Sequence, residues 1–225
     1  MRTNVAGEGT TQAVELPVTG GLLHGDLTVP AAATGIVLFA HGSGSSRMSP
    51  RNRQVAASLH EAGFATLLFD LLTAAEEEED DLTAALRFDI ELLADRLVVA
   101  TEWVRAHPTA GQLPLGYFGA STGAAAALVA ASRVAGVRAV VSRGGRPDLA
   151  GAALSFVTTP TLLIVGGRDV TVLELNREAL ASLGSTQKKL VLVPGATHLF
   201  EEPGAMEQVV ELAAGWFAEH LAAAR

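Results

Sequence analysis

The chain lacks cysteine altogether and is poor in aromatic side chains, which make up 5% of its 225 residues. Without cysteine it can form neither disulfide bonds nor thiolate metal sites. Acidic residues outnumber basic ones by 24 to 16, and the net charge of −8 argues against a nucleic-acid partner. No apolar run approaches the roughly 18 residues of a membrane-spanning helix, and residues 1–9 lack the apolar stretch of a secretory signal. We therefore expect a cytoplasmic protein without a membrane partner.

Aliphatic side chains, by contrast, are abundant, and hydrophobic residues make up 49% of the chain. Apolar strands alternate with helical segments, which indicates an α/β fold with a mostly parallel sheet and helices on both faces. We expect eight strands, at residues 13–18, 22–29, 36–40, 64–69, 115–118, 137–142, 161–165 and 189–193. The first two should form an antiparallel hairpin at the sheet edge. The predicted helices cover residues 51–62, 83–106, 122–134, 173–183 and 205–223.

The chain shows no internal repeat and no linker, so we expect one domain over residues 1–225, with residues 1–11 as a flexible N-terminal segment. Six acidic residues in a row, Glu76 to Asp81, predict a solvated loop before a helix, because like charges repel. The run lacks the alternating ligand spacing of a calcium loop.

A Gly-x-Ser-x-Gly pentapeptide, Gly119 to Gly123, lies between an apolar strand and an alanine-rich helix. A sharp strand-to-helix turn flanked by small residues can expose the hydroxyl of Ser121 to a general base. Taken alone, the pentapeptide is equally consistent with a glycine-rich turn that contains an incidental serine.

Two further polar residues, Asp169 and His198, follow apolar strands later in the chain. Because the carboxyl ends of parallel strands meet at one edge of a sheet, these two residues and Ser121 can come together there. The order serine, acid, histidine is that of α/β-hydrolases. We therefore predict a catalytic triad of Ser121, Asp169 and His198, with Asp148 or Glu202 as the alternative acids.

The loop from Gly42 to Ser46 follows the predicted strand at residues 36–40. Acyl transfer requires donors for the oxygen that becomes negative in the tetrahedral intermediate. We predict the backbone N–H groups of Ser43 and Thr122 as this oxyanion hole. The same stretch also has the pattern of a helix start, with Ser49 as N-cap and a proline at the first helical position.

These segments, together with Gly166 to Asp169 and Pro194 to His198, resemble α/β-hydrolases and, more narrowly, the dienelactone-hydrolase-like branch. The resemblance extends over most of the chain and implies an eight-stranded α/β-hydrolase fold that needs no metal or organic cofactor. It departs from true dienelactone hydrolases, whose nucleophile is a cysteine, and its motifs do not supply their arginine-lined pocket. The loop at Gly42 and the pentapeptide also resemble a hydrolase module fused to phosphoribosyltransferase domains in some bacteria.

The interval from Arg143 to Thr159, where lid domains of this fold usually lie, holds 17 residues and is too short for a large lid. An open site of this kind favours a small substrate over a long-chain lipid.

Several residues near the predicted site are candidate substrate contacts. Arg143 could bind an anionic substrate group, with a structural ion pair as the alternative, and the same applies to Arg47, Arg51 and Arg53. Asp70 either contacts the substrate or braces a loop, and Phe200 either lines the pocket or belongs to the core. We expect His41 to brace the loop that follows it.

These patterns predict a serine hydrolase that cleaves a short or medium ester, lactone or thioester through an acyl-enzyme. An acyltransferase or peptidase with the same triad is an alternative, as is a non-catalytic binding protein. The expected partner is a small ester-like molecule, and the sequence leaves monomer and homodimer open.

Overall fold

The computed structural model describes residues 10–222. Its strands are β1 (Thr10–Val18), β2 (Gly21–Val29), β3 (Gly35–Ala40), β4 (Phe64–Phe69), β5 (Leu115–Ala120), β6 (Val137–Arg143), β7 (Thr161–Gly166) and β8 (Lys188–Val193). The α-helices are α1 (Pro50–Glu61), α2 (Ala74–Thr83), α3 (Ile90–Ala106), α4 (Thr122–Arg133), α5 (Val170–Ser182) and α6 (Ala205–Leu221). Two 3-10 helices cover Leu86–Phe88 and Pro147–Phe156.

The eight strands form one sheet in the order β1-β2-β4-β3-β5-β6-β7-β8. The pairs β1–β2 and β2–β4 are antiparallel, and every pair from β4 to β8 is parallel. The central strands β3, β4, β5 and β7 are buried along their whole length, as expected for strands covered on both faces. The predicted α/β fold, with its edge hairpin, is therefore confirmed.

The hydrophobic core has two large layers, one on each face of the sheet, and a small third cluster around Val165. Leu97 of α3 and Ala125 of α4 belong to the first layer. Val55 of α1 and Phe217 of α6 belong to the second. Helices thus cover both faces, and the carboxyl ends of the parallel strands stay free to carry a site.

The prediction of a loop at Glu76 to Asp81 is wrong, because these residues lie in α2. Thr73 and Glu76 form a capping box in which the Thr73 hydroxyl accepts the N–H of Glu76 and the Glu76 carboxylate accepts that of Thr73. Arg96 pairs with Glu76, and Arg87 pairs with Asp80. Caps and arginines from later in the chain therefore outweigh the repulsion between neighbouring carboxylates.

The predicted helix over residues 83–106 is also shorter in the structure. Ala84 ends α2 in the left-handed conformation with φ of 54°, and α3 begins only at Ile90. The Asp89 carboxylate starts α3 by accepting the N–H of Leu92 over 3.0 Å. An interruption of this kind depends on the cap, which the apolar periodicity does not reveal.

Of the predicted flexible segment 1–11, residues 1–9 lie outside the described part of the chain, as does Ala223 at the end of the last predicted helix. Thr10 and Thr11 belong to β1, where they pair with Val29 and Thr28, so the expectation is wrong for these two residues. The interval between β6 and β7 holds only the second 3-10 helix, and no large lid is present in residues 10–222. Within the same residues no helix has the length and apolarity needed to cross a membrane.

Candidate active site

Ser121 occupies the single-residue turn between β5 and α4, with φ of 51° and ψ of −122°. A non-glycine residue seldom adopts positive φ, because its Cβ crowds the backbone. The two flanking glycines allow the turn. A Cβ at Gly119 would clash with the backbone of Ala124, and one at Gly123 would clash with the carbonyl of Ala40. The local sequence therefore holds Ser121 in a strained conformation, as a nucleophile elbow does.

His198 and Asp169 meet at the carboxyl end of the sheet. Asp169 directly precedes α5 and follows β7, whereas His198 lies in the loop after the neighbouring parallel strand β8. The Nδ1 atom of His198 lies 2.7 Å from Oδ2 of Asp169, so that Nδ1–H donates to the carboxylate. Neither alternative acid takes this place. Asp148 pairs with Arg146, and Glu202 accepts the N–H of Thr197.

Ser121 and His198 line one cavity of about 270 Å³. In residues 10–222, no hydrogen bond joins the hydroxyl of Ser121 to the imidazole of His198. Such bonds are often loose without substrate and tighten when it binds. The structure thus brings all three predicted triad residues to one edge, with the acid–histidine contact formed and the serine in the same cavity.

The loop after β3 packs against this turn. A Cβ at Gly42 would lie 3.0 Å from Cβ of Ser121, so a larger residue there would press on the serine. The backbone N–H of Ser43 points at α4 and donates to Oγ1 of Thr122 over 2.9 Å. The N–H of Ser43, one predicted oxyanion donor, is therefore bonded to the side chain of Thr122, whose backbone N–H is the other predicted donor. The same loop also starts α1, where Ser49 caps the N–H of Asn52.

His41 braces this loop, as expected. Its Nε2 accepts the N–H of Leu71 over 3.1 Å, which places the ring proton on Nδ1, 3.0 Å from the carbonyl of Gly42. Burial lowers the pKa of His41, although the Gly42 carbonyl and the charge of Asp70 oppose this effect in part. The neutral ring therefore links the segment that follows β4 to the loop after β3.

The three candidate substrate contacts have different surroundings. Arg143 lines the cavity, so it is in position for that role. Asp70 does not line the cavity and instead accepts bonds from the backbone and the guanidinium of Arg47, which makes it a loop brace. Phe200 is only 1% exposed and belongs to the core layer of α1 and α6. For Asp70 and Phe200 the structure thus supports the alternatives.

Two cavity-lining residues, Asn52 and Leu199, were missed by the sequence reasoning. Leu199 directly follows His198, and Asn52 lies in the first turn of α1, next to the loop that carries Ser43. Proximity to predicted site residues was the only signal for either. Among residues 10–222, no group of three or more histidine and acidic side chains is arranged to hold a metal ion.

Known proteins share this fold and much of this sequence. Residues 23–221 match the dienelactone hydrolase family. A dienelactone hydrolase from Anabaena variabilis ATCC 29413 is 58% identical in sequence, with a TM-score of 0.92 over 95% of this chain and 99% of that one. The esterase Est1E from Butyrivibrio proteoclasticus is 16% identical, with a TM-score of 0.75 over 92% and 98% of the two chains, a likeness of fold alone.

A longer relative is the "Putative phosphoribosyl transferase Rv0571c" of Mycobacterium tuberculosis H37Rv, which is 64% identical over 200 residues. The match includes 88% of this chain, and the chain spans only 44% of the length of that relative. The match to the family includes most of the described residues, with strands β3 to β8, the turn at Ser121 and the contact between Asp169 and His198. The chain therefore belongs to the dienelactone hydrolase family.

Proposed function

We propose that the protein is a serine hydrolase of the carboxylesterase type. One observation carries this proposal: Ser121, held in a strained turn, faces the same cavity as a histidine whose Nδ1 is bonded to a carboxylate. The three groups have the roles that acyl transfer to serine requires, namely nucleophile, general base and orienting acid.

The mechanism follows from these contacts. Oγ of Ser121 attacks the ester carbonyl carbon while Nε2 of His198 accepts the hydroxyl proton. The resulting imidazolium is stabilised by the carboxylate of Asp169, which also fixes the tautomer that leaves Nε2 free to accept the proton. His198 then gives the proton to the leaving alcohol as the C–O bond breaks. Water attacks the acyl-enzyme by the same steps, which releases the acid and restores Ser121.

The oxyanion of each tetrahedral intermediate would lie between the N–H groups of Thr122 and Ser43. The N–H of Thr122 belongs to the first turn of α4, where the helix dipole also favours negative charge. The N–H of Ser43 reaches the same region, since it already donates to the Thr122 side chain. In this scheme the Ser43 N–H keeps its bond to the Thr122 hydroxyl, which holds the loop in position, and also donates to the oxyanion.

The size of the cavity favours a small ester, lactone or thioester. Its volume of about 270 Å³ is at the lower end for ligand pockets, and only the 3-10 helix Pro147–Phe156 occupies the usual position of a lid. A long acyl chain would leave this cavity and lie on the protein surface.

Membership in a hydrolase family favours water as the acyl acceptor over an alcohol or amine, the acceptors of an acyltransferase. A peptidase would use the same three residues on a less reactive carbonyl. Phosphoribosyl transfer, named for the relative in Mycobacterium tuberculosis, is less well supported, because the match includes under half of that protein and the matched part is the hydrolase segment.

Labelling with a fluorophosphonate probe tests the nucleophile. We expect the wild type to be labelled on Ser121 and Ser121→Ala to lose the label. A matched control is Ser45→Ala, which removes a different hydroxyl from the same cavity and should still be labelled. Equal labelling of wild type and Ser121→Ala would contradict the assignment.

A series of 4-nitrophenyl esters of increasing acyl length tests the substrate class. Acetate and butyrate should be cleaved with a higher kcat/KM than laurate, because the cavity is small. A preference for laurate would contradict the proposal of a short acyl group.

A further inference from the structure

A strained residue, Phe200, lies two positions after the proposed general base. Its φ is 56°, and among residues 10–222 the other non-glycine residues with positive φ are Ala84 and Ser121. Ala84 ends a helix, whereas Ser121 is the proposed nucleophile. Backbone strain of this kind persists only where the surrounding structure enforces it, and it is common at active sites. Two of the three strained residues thus belong to the segments that carry the serine and the histidine.

Phe200 closes the turn that presents His198. The N–H of Phe200 donates to the carbonyl of Thr197 over 3.3 Å. His198 is therefore a central residue of a four-residue β-turn. The ring of Phe200 is buried in the core layer of α1 and α6. Glycine would adopt this φ without strain, so the packing of the ring outweighs the strain that it imposes on the backbone. The buried ring anchors the end of the turn.

The segment after β6, residues 143–146, is bonded to the serine turn. The carbonyl of Arg143 accepts the N–H of Ser121 over 3.3 Å, and the N–H of Arg146 donates to the carbonyl of Ser121 over 3.0 Å. Arg143 also pairs in register with Ala120, the residue before the serine. These bonds fix the backbone of the nucleophile relative to the segment.

The same segment contacts the histidine turn through Gly144. This residue has φ of 51°, and its N–H donates to the carbonyl of Ile164 in β7 over 2.8 Å. A Cβ at Gly144 would lie 3.2 Å from the carbonyl oxygen of His198 and 3.2 Å from Cε2 of Phe200. It would also lie 3.6 Å from Cε1 of the His198 ring. Any side chain at this position would therefore displace the histidine turn.

We propose that Gly144 and Phe200 are positioning residues that set the distance between the nucleophile and the imidazole of His198. This inference rests on the proposed serine hydrolase function and adds two residues that do not line the cavity. Gly144 supports the histidine turn from the segment that is bonded to Ser121, and Phe200 holds the turn against the core. Proton transfer needs hydrogen-bond reach between Oγ and Nε2, and a misplacement of about 1 Å can lower a rate about 100-fold.

The kinetics of fluorophosphonate labelling in Gly144→Ala test this contact. We expect the maximal rate constant of labelling to fall at least about tenfold, because the added methyl group displaces His198 from Ser121. The probe concentration that gives half of this rate should stay close to the wild-type value, since Gly144 does not line the cavity. The labelled fraction measures how much of the protein is folded. A loss of stability alone would lower that fraction and leave the rate constant unchanged.

The matched control is Gly151→Ala. Gly151 has φ of 52°, almost the value at Gly144, but a Cβ at Gly151 would meet no atom within 4 Å. Both substitutions impose the same backbone strain, and only Gly144→Ala adds a contact with the histidine turn. We expect the control to lose similar stability and to keep the wild-type rate constant.

Phe200→Leu tests the link between the two residues. Leucine keeps an apolar side chain in the core but removes the ring atom that faces Gly144. Alone, this substitution should lower the rate constant, because the turn loses part of its anchor. In the double variant the smaller side chain gives the new methyl group room, so the combined loss should be smaller than the product of the two single losses. Losses that simply multiply would contradict a shared role.

The outcomes separate this inference from the function on which it rests. A wild-type rate constant in Gly144→Ala, with Ser121 labelled, would overturn the positioning role and leave the serine hydrolase proposal intact. If Gly144→Ala yields no folded protein, the rate constant of Phe200→Leu decides the inference by itself. Absence of labelling at Ser121 in the wild type would instead overturn the proposed function and this inference with it.

Discussion

The backbone N–H of Ser43 donates to the hydroxyl of Thr122 over 2.9 Å, across 79 positions of sequence. This bond joins the loop after β3 to the first residue of α4, the two segments that carry the proposed oxyanion donors. It also keeps the loop amide of Ser43 satisfied before substrate arrives. The Thr122 side chain thus has a positioning role that is separate from the backbone N–H of the same residue.

Substitution Thr122→Val should lower kcat about threefold to tenfold, because a hydrogen bond of this kind contributes about 0.5–1.5 kcal/mol. Valine keeps the shape of threonine and the backbone N–H, but it leaves the N–H of Ser43 without its acceptor. Thr122→Ser should restore kcat. Steady-state kinetics on 4-nitrophenyl acetate measure the effect, and a rise in kcat would instead mean that the hydroxyl competes with the oxyanion.

The positive φ of Ser121 predicts an order of stability between two inactive variants. The free energy of unfolding should be about 1 kcal/mol higher for Ser121→Gly than for Ser121→Ala. Glycine adopts positive φ without strain, and this gain is larger than the stability that it loses through the greater entropy of the unfolded chain. Both variants lack the hydroxyl, so their difference isolates the backbone. Urea denaturation measures it, and equal stability would mean that the turn carries no strain.

Replacement of Asp169 by Asn should lower kcat by about four orders of magnitude, because the amide no longer fixes the histidine tautomer that accepts the serine proton. The controls are Asp148→Asn and Glu202→Gln, which alter the two acids that do not contact His198. The kcat for ester hydrolysis by the three purified variants shows which acid acts with His198. Full activity in Asp169→Asn would move the acid role to another residue.

The buried, neutral His41 predicts a loss of stability on acidification. Its pKa in the folded protein is below the ordinary value of 6.5. As the pH falls below that value, the unfolded chain binds a proton that the folded protein does not, until the pH reaches the lower folded pKa. His41 contributes at most about 1.4 kcal/mol per pH unit to the slope of the unfolding free energy against pH, and above pH 7.5 this contribution vanishes.

The difference in unfolding free energy between wild type and His41→Asn checks this linkage, since other titrating groups contribute to both proteins. We expect a constant difference above pH 7.5 and a change in favour of the variant between pH 6.5 and 5. If the unfolding free energies of the two proteins differ by the same amount at every pH, the predicted linkage to His41 is wrong.

Local signals were sufficient for much of the fold. The strand Phe64–Phe69 has the predicted bounds because a glycine precedes it and a polar residue follows it. The turn at Ser121 could be predicted because its two glycines lie two positions before and two positions after the serine. The three predicted triad residues each follow a strand, and the parallel sheet brings them to one edge.

Contacts between distant segments set the limit of prediction. The run Glu76 to Asp81 becomes helical with the help of Arg87 and Arg96, which its own sequence does not contain. The bond between Ser43 and Thr122 depends on how the loop after β3 lies against α4. For Arg143 the sequence left an ion pair and an anion contact open, and only the folded surroundings reveal that no acidic residue among residues 10–222 pairs with it.

Ten consecutive residues of α4, Thr122 to Ala131, are buried, and most of them are alanine or glycine. Any enlargement there would push the helix off the sheet and carry Ser121 with it. Substitutions in related proteins should therefore be rare in α4 and should concentrate at the mouth of the cavity, in residues 45–49 and the first turn of α1. Homologues with new substrate preferences are expected to share the sequence of α4 and to differ at the mouth of the cavity.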